Sequence, residues 1–315
     1  MEKILVPGHL LDALSEAVMG LDLDLVPYDQ NGIPLRNSTG TTAMFRWWLS
    51  QDDGDRLLIQ NPGIRWLHTG SAGVDHILTP TFELVSPLLT NSRGVHAPSI
   101  AEWVVACMLY QLKALNEMSL RQASHTWEKI ERPELTDSHV TVLGGGSIAC
   151  EIARRLRPFG SVITAVRRSA RQASEFDRVV GPEGLEKEAH EADWFIIAVP
   201  LTPETRGVVD RNVIGAMSPE CTLINVARGE IIDQSALRNA IRERRIRGAI
   251  LDVFEHEPLP SHDPLWDSPG VLVLPHTTWR SPEVKMRQVA LFAENTRRFV
   301  RGDTLLNLVD VTRGY

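Results

Sequence analysis

HVTVLGGGSIACEIARRLRPF (139–159) is a short apolar strand, three glycines and an amphipathic helix, in that order. Taken as G-x-G-x-x-G/A on Gly144, Gly146 and Ala149, it predicts a strand turning sharply into a helix whose first N–H groups face an anion. Gly144 permits the tight turn, Gly146 removes a Cβ so that backbone can approach a pyrophosphate, and Ala149 lets helix and strand pack closely. The pyrophosphate would rest on the N–H groups of Ser147 and Ile148. Glycine turns are common between strands and helices. The next strand, VITAV (162–166), is what gives this one meaning.

The alternation continues on the C-terminal side. HVTVLGG, VITAVR, WFIIAV, CTLINVA, GAILDV and VLVLP are six apolar runs separated by helical segments such as QSALRNAIRERR (234–245). That pattern predicts a parallel sheet with helices on its faces, and a Rossmann dinucleotide-binding domain over 99–280. Its opening helix is predicted over 99–120, with Ser99 as N-cap, Glu102 completing a capping box, and Trp103, Val104, Met108 and Leu112 on a packed stripe. On the N-terminal side KILVP, LDLVP, TAMFRWW, IRWLHTG and SPLLTNS read as strands, with LLDALSEAVM the clearest helix. They predict a second doubly wound parallel sheet in this α/β chain. Ser281 and Pro282 open a last helix, through about Val300, and too little chain follows for a third domain.

Length, at 315 residues, fits two domains, and 43% apolar with 23% charged residues is the balance of a folded, water-facing protein. A net charge of −7 and no basic arm argue against nucleic acid; RERRIR (242–247) reads as a solvated helix end. Cys107, Cys150 and Cys221 are distant and odd in number, so neither a metal site nor a disulfide framework is expected. Free thiols, no leader-like segment and no run of 18 apolar residues predict a cytoplasmic protein that does not enter a membrane.

Side chains at strand ends supply the chemistry. VITAV is followed by Arg167 and Arg168, then Ser169, with no acid until Glu175. An acid here would accept from the ribose 2′-OH of NAD, whereas guanidinium groups pair with a 2′-phosphate. NADP(H) is therefore expected in preference, with NAD(H) possible. NVARGEIID (225–233), LDVFEHEPLP (251–260) and VLVLPHTTW (271–279) are apolar runs that deliver Arg228, Glu257 and His276. An arginine fork holds a carboxylate, a histidine moves a proton, and an acid orients that histidine and favours its charged form. On residues alone Glu255 competes with Glu257.

These segments, with the upstream glycine motif, resemble the D-isomer-specific 2-hydroxyacid dehydrogenase family, from the first strand to NLVD (307–310). The resemblance selects Glu257, five residues after Asp252, and implies a discontinuous flavodoxin-like substrate domain made of 1–98 and 281–315. It implies that Arg228 holds the substrate carboxylate and 2-oxygen while His276 protonates the keto oxygen. In HTGSAGVDHI (68–77) it implies a carboxylate nest at Ala72, Gly73 and Val74, with Asp75 structural. AVPLTPETRG (198–207) would bring Val199, Pro200 and Thr205 to the ribose and nicotinamide beside Ala227, with Asp252 at the carboxamide. Trp47 and Trp48 either overhang the pocket or belong to the core. The implied activity is NAD(P)H-dependent reduction of a small 2-keto acid, such as glyoxylate or hydroxypyruvate, by a homodimer without a metal. A phosphoglycerate dehydrogenase-like enzyme and a dinucleotide-sensing corepressor-like protein are the alternatives.

Overall fold

The computed structural model describes residues 1–169 and 171–315, and these form two units, 1–96 with 281–315 and 97–280. In the first unit the strands are β1 (Glu2–Pro7), β2 (Leu23–Tyr28), β3 (Ala43–Arg46), β4 (Trp66–Thr69) and β5 (Leu88–Asn91). They lie in the order β2-β1-β3-β4-β5, each pair parallel. β3 and β4 are buried at every position, so both sheet faces need apolar cover. One face packs Met44 and Leu67 with Leu57, Leu58 and Phe82 from the helices Gln51–Gln60 and Pro80–Val85. The other packs Phe45 and Trp66 with Leu10, Leu14 and Phe292. Phe292 belongs to the last helix, Pro282–Arg301, which Ser281 caps by accepting from Val284 N–H. Its ring stacks on Phe45 at 4.5 Å and on Trp66 at 5.1 Å. Burying such a ring stabilises by about 1.5–3 kcal/mol, enough to tie the C-terminal segment to the first sheet.

The second unit holds β6 (His139–Leu143), β7 (Val162–Val166), β8 (Arg178–Val180), β9 (Trp194–Ile197), β10 (Thr222–Asn225), β11 (Gly248–Leu251) and β12 (Val271–Val273). The order is β12-β11-β10-β9-β6-β7-β8, again with every pair parallel. Both expected sheets are therefore present, with seven strands rather than six in the second. The direction of winding reverses between β6 and β9, and β1 occupies the same place between β2 and β3. In open parallel sheets ligands bind outside the carboxyl ends of the strands at that reversal.

One expected helix is two. The segment expected over 99–120 runs Ala97–Leu112 and then Leu115–Ala123, broken at Ala114, whose φ is +50°. Ser99 is no cap. The helix begins two residues earlier, with Pro98 in the first turn where its missing N–H costs nothing. The Ser99 hydroxyl instead donates to the Thr278 carbonyl at 2.8 Å, and Glu102 pairs with Arg155. Val104, Met108 and Leu112 are buried as the stripe requires, but Trp103 is 37% exposed. Among the described residues no helix is long and apolar enough to cross a membrane.

Candidate active site

The second unit gathers most of the expected residues at the carboxyl ends of its strands. After β6, Gly144 takes φ +128°, and a Cβ there would strike the Ala198 carbonyl oxygen at 2.5 Å. Gly146 precedes the helix Ser147–Leu156 with no side chain capping it, and a Cβ at Gly146 would meet nothing within 4 Å. Ala149 is fully buried against the sheet. The turn thus presents uncapped N–H groups, those of Ser147 and Ile148 among them, to open space, which fits a dinucleotide pyrophosphate. After β7, Arg167 donates from Nε to the Ser169 carbonyl at 2.8 Å and from Nη2 to the Arg171 carbonyl at 2.5 Å. In the segment after β9, the Glu204 carboxyl is lowered chiefly by its hydrogen bond with Thr202, and in part by the Arg168 charge. In that segment Val199 is half-buried and Pro200 exposed. The Thr205 hydroxyl closes the loop by donating to the Pro200 carbonyl at 2.6 Å and accepting from Thr202 N–H at 2.8 Å.

After β10 the backbone is held by the buried Asn225, whose amide accepts from Ala227 N–H at 3.0 Å and donates to the Arg228 carbonyl at 2.9 Å. Gly229 follows because a Cβ would lie 1.9 Å from the Phe254 carbonyl carbon. Arg228, half-buried, is thereby aimed by its neighbours on both sides, and its Nη1 donates to the Ala227 carbonyl at 2.8 Å.

Past β11 and β12 stand the acid and the histidine. Glu257 Oε2 lies 2.7 Å from His276 Nδ1, while its Oε1 accepts from Phe254 N–H at 3.0 Å. Burial is the largest single influence on the Glu257 carboxyl and pushes it up. The hydrogen bonds from His276 and Phe254, with the charges of His276 and Arg228, outweigh it and hold the group below its ordinary value. Arg228, Glu257 and His276 are thus brought together electrostatically, and Glu255 is not the partner. Asp252 is 2% exposed, and both its carboxylate oxygens accept from the Thr277–Thr278 turn. That clamp, and its extension to Ser99, is what reading the sequence missed. The two hydroxyl residues after the histidine are its only trace there.

Burial raises the Cys107 and Cys221 thiols to about 11 and about 12, so neither is a ready nucleophile. Among the described residues no cluster could hold a metal ion.

In the first unit, residues 70–74 follow β4. Ser71 Oγ donates to the Gly73 carbonyl at 2.7 Å and Asn91 Nδ2 to the Ala72 carbonyl at 2.7 Å, while Val74 is buried. The carbonyls are thus tied back, and the N–H groups of Ala72, Gly73 and Val74 have no hydrogen-bond acceptor among the described residues. Consecutive N–H groups of this kind form an anion nest. Trp47 follows β3, half-buried and edge-on to Phe45 and His9. Trp48 is 56% exposed with φ +49°.

Comparison with known proteins follows the same lines. The model of the D-isomer specific 2-hydroxyacid dehydrogenase NAD binding domain matches residues 105–278. A glyoxylate reductase of Korarchaeum cryptofilum is 30% identical over 257 residues, 79% of this chain and 77% of its own. A glyoxylate/hydroxypyruvate reductase A of Photorhabdus laumondii is 29% identical over 266 residues, 82% of this chain and 84% of its own. A D-isomer specific 2-hydroxyacid dehydrogenase from Xanthobacter autotrophicus, solved with NADPH and MES, matches with TM-score 0.87 at 26% identity over 100% of this chain and 99% of that one. An NADPH-dependent glyoxylate/hydroxypyruvate reductase from Sinorhizobium meliloti, solved with NADP and sulfate, gives 0.86 at 25% identity over 100% of both chains.

Proposed function

The chain belongs to the D-isomer specific 2-hydroxyacid dehydrogenase family, and we propose that it uses NADPH to reduce a small 2-keto acid, glyoxylate or hydroxypyruvate foremost, to the D-2-hydroxy acid. One contact carries the reading: His276 Nδ1 on Glu257 at 2.7 Å. With Nδ1 so engaged, Nε2 is the nitrogen that delivers a proton to the substrate carbonyl oxygen. Glu257 fixes the ring's orientation and balances its charge, its carboxyl being held below the ordinary value by the His276 and Phe254 hydrogen bonds and the nearby charges, against the upward push of burial. The Arg228 fork holds the substrate carboxylate and draws charge onto the 2-oxygen. The N–H groups of Ala72, Gly73 and Val74 act as a carboxylate nest.

The bound dinucleotide supplies the hydride. Gly144, Gly146, Ser147 and Ile148 shape its pyrophosphate seat, and Arg167 with Arg168 takes the 2′-phosphate. Val199, Pro200, Thr205 and Ala227 line its path toward the reacting end. The relatives' names support the substrate class, and the NADPH- and NADP-bound solved structures support the cofactor. The reading places a homodimer in the cytoplasm.

The experiment is a panel of 2-keto acids followed by loss of NADPH absorbance, wild type beside His276→Ala. The variant should lose about 10²–10⁴-fold in kcat while binding NADPH as before. A His276→Ala protein turning over at the wild-type rate would overturn the assignment.

A further inference from the structure

We propose that Asp252 is a positioning residue, which holds the backbone of His276 in its working conformation through the Thr277–Thr278 turn, with Ser99 bracing the far side. This rests on His276 being the proton donor, and it gives Asp252 work other than touching the nicotinamide.

His276 has φ +49°, in the left-handed region that a residue with a Cβ occupies only when its surroundings hold it there. Those surroundings are visible on both sides. The His276 N–H donates to the Asp252 carbonyl at 2.9 Å, and the His276 carbonyl accepts from Trp279 Nε1 at 3.0 Å. The Asp252 carboxylate then gathers the residues that follow. Its Oδ1 accepts from Thr277 N–H at 2.8 Å, and its Oδ2 accepts from Thr278 N–H at 3.2 Å and Thr278 Oγ1 at 2.6 Å. Asp252 and Thr278 are each 2% exposed. Charge-assisted bonds of this kind, shielded from water, are among the stronger ones a fold makes. The last bond is made by Ser99, 7% exposed, whose hydroxyl donates to the Thr278 carbonyl from 179 residues away in sequence.

The chain of contacts is therefore Ser99, Thr278, Asp252, then the backbone of His276. Both ends of the histidine's peptide units are fixed, so the turn sets the point and direction from which the imidazole departs, and the Glu257 carboxylate holds its Nδ1 at 2.7 Å. With both carboxylate oxygens already accepting from protein groups, a direct bond from Asp252 to a carboxamide would have to compete with three existing donors.

The test uses variants at Thr278 and Ser99, two positions to which no contact with substrate or cofactor is assigned. Thr278→Val deletes the hydroxyl that donates to Asp252. Its kcat should fall by on the order of ten- to a hundredfold, the usual cost of an ångström-sized misplacement. The NADPH Kd from fluorescence titration and the 2-keto acid KM should stay within about twofold of wild type, as misplacement without lost binding requires. Thr278→Ser, which keeps the donor, should recover most of the rate. In the protein without cofactor, the His276 ring resonances should move in Thr278→Val and return in Thr278→Ser. Ser99→Ala, one bond further out, should give the same signature at smaller size, and it decides the matter if Thr278→Val does not fold. Wild-type kcat in these variants, or a loss confined to NADPH affinity, overturns the positioning role. If His276→Ala itself keeps wild-type turnover, the proton-donor reading has failed and the role falls with it.

Discussion

Gly145 has no side chain, and Arg167 lies across it: a Cβ there would come within 2.4 Å of Arg167 Cδ. The guanidinium is therefore fixed beside the glycine turn, with two backbone carbonyls of its own loop as acceptors. At this strand end a carboxylate would accept from a ribose diol and repel a 2′-phosphate, whereas a guanidinium does the reverse. One charge-assisted hydrogen bond is worth about 1.5–3 kcal/mol, a preference of roughly ten- to over a hundredfold. Wild type should favour NADPH over NADH by a factor in that range. Arg167→Asp should move the preference toward NADH, by removing the phosphate partner and supplying a diol acceptor. The measurement is kcat/KM for both cofactors on both proteins, and a wild type that prefers NADH would sink the idea. Arginine at a strand end was a readable sign because the expected acid was missing. The Asp252 clamp was not readable, since Thr277 and Thr278 lie 25 and 26 residues from Asp252, Ser99 lies 179 from Thr278, and only folding brings them together.

β4 is buried at all four positions although it contains His68 and Thr69. His68 sits between Thr90 Oγ1, 2.8 Å from its Nδ1, and Ser92 Oγ, 3.3 Å from its Nε2. Burial lowers its pKa from 6.5 to about 3, so it is neutral in the fold. An unfolded chain takes up that proton near 6.5. Between 6.5 and about 3 the unfolded state therefore binds more protons, and stability must fall as pH falls through this window. Above it the full stability is present. His68→Gln keeps hydrogen-bonding groups but cannot charge, so its stability should fall less steeply on acidification than that of wild type. Urea unfolding from about pH 8 to about pH 5 tests this, and parallel curves would count against it. The strands themselves were readable because parallel strands covered on both faces are nearly continuous apolar runs, as in WFII of β9 and GAIL of β11. β8 escaped because it has only three residues and begins with a charge. The break at Ala114 escaped because LYQLKALNEM keeps helical spacing straight through it, with neither glycine nor proline to mark the turn.

Each unit carries its functional segments at the carboxyl ends of a parallel sheet, so the fold class alone indicated where to look. The second unit also carries apolar surface that its own packing does not cover. The helix Leu115–Ala123 has no buried residue, with Leu120 70% and Leu115 46% exposed. Nearby in sequence, Trp127 is 96% and Trp103 37% exposed. A nine-residue helix is marginal in water unless its apolar side packs against something. A second copy of the chain is the occupant this family reading proposes, joined about a two-fold axis so that the same patch meets itself. A specific interface of that kind removes on the order of 800 Å² per partner from water, which these tryptophans and leucines could supply in good part. Sedimentation velocity at micromolar concentration should therefore find a dimer. Leu120→Asp introduces a charge that would be desolvated in the interface, and it should shift the protein toward monomer while leaving both sheets folded. In the monomeric variant, amide exchange across 115–123 should quicken, because the helix has lost the partner that holds it. A wild type that sediments as a monomer, or a Leu120→Asp dimer as tight as wild type, would show that some other surface or none joins two copies.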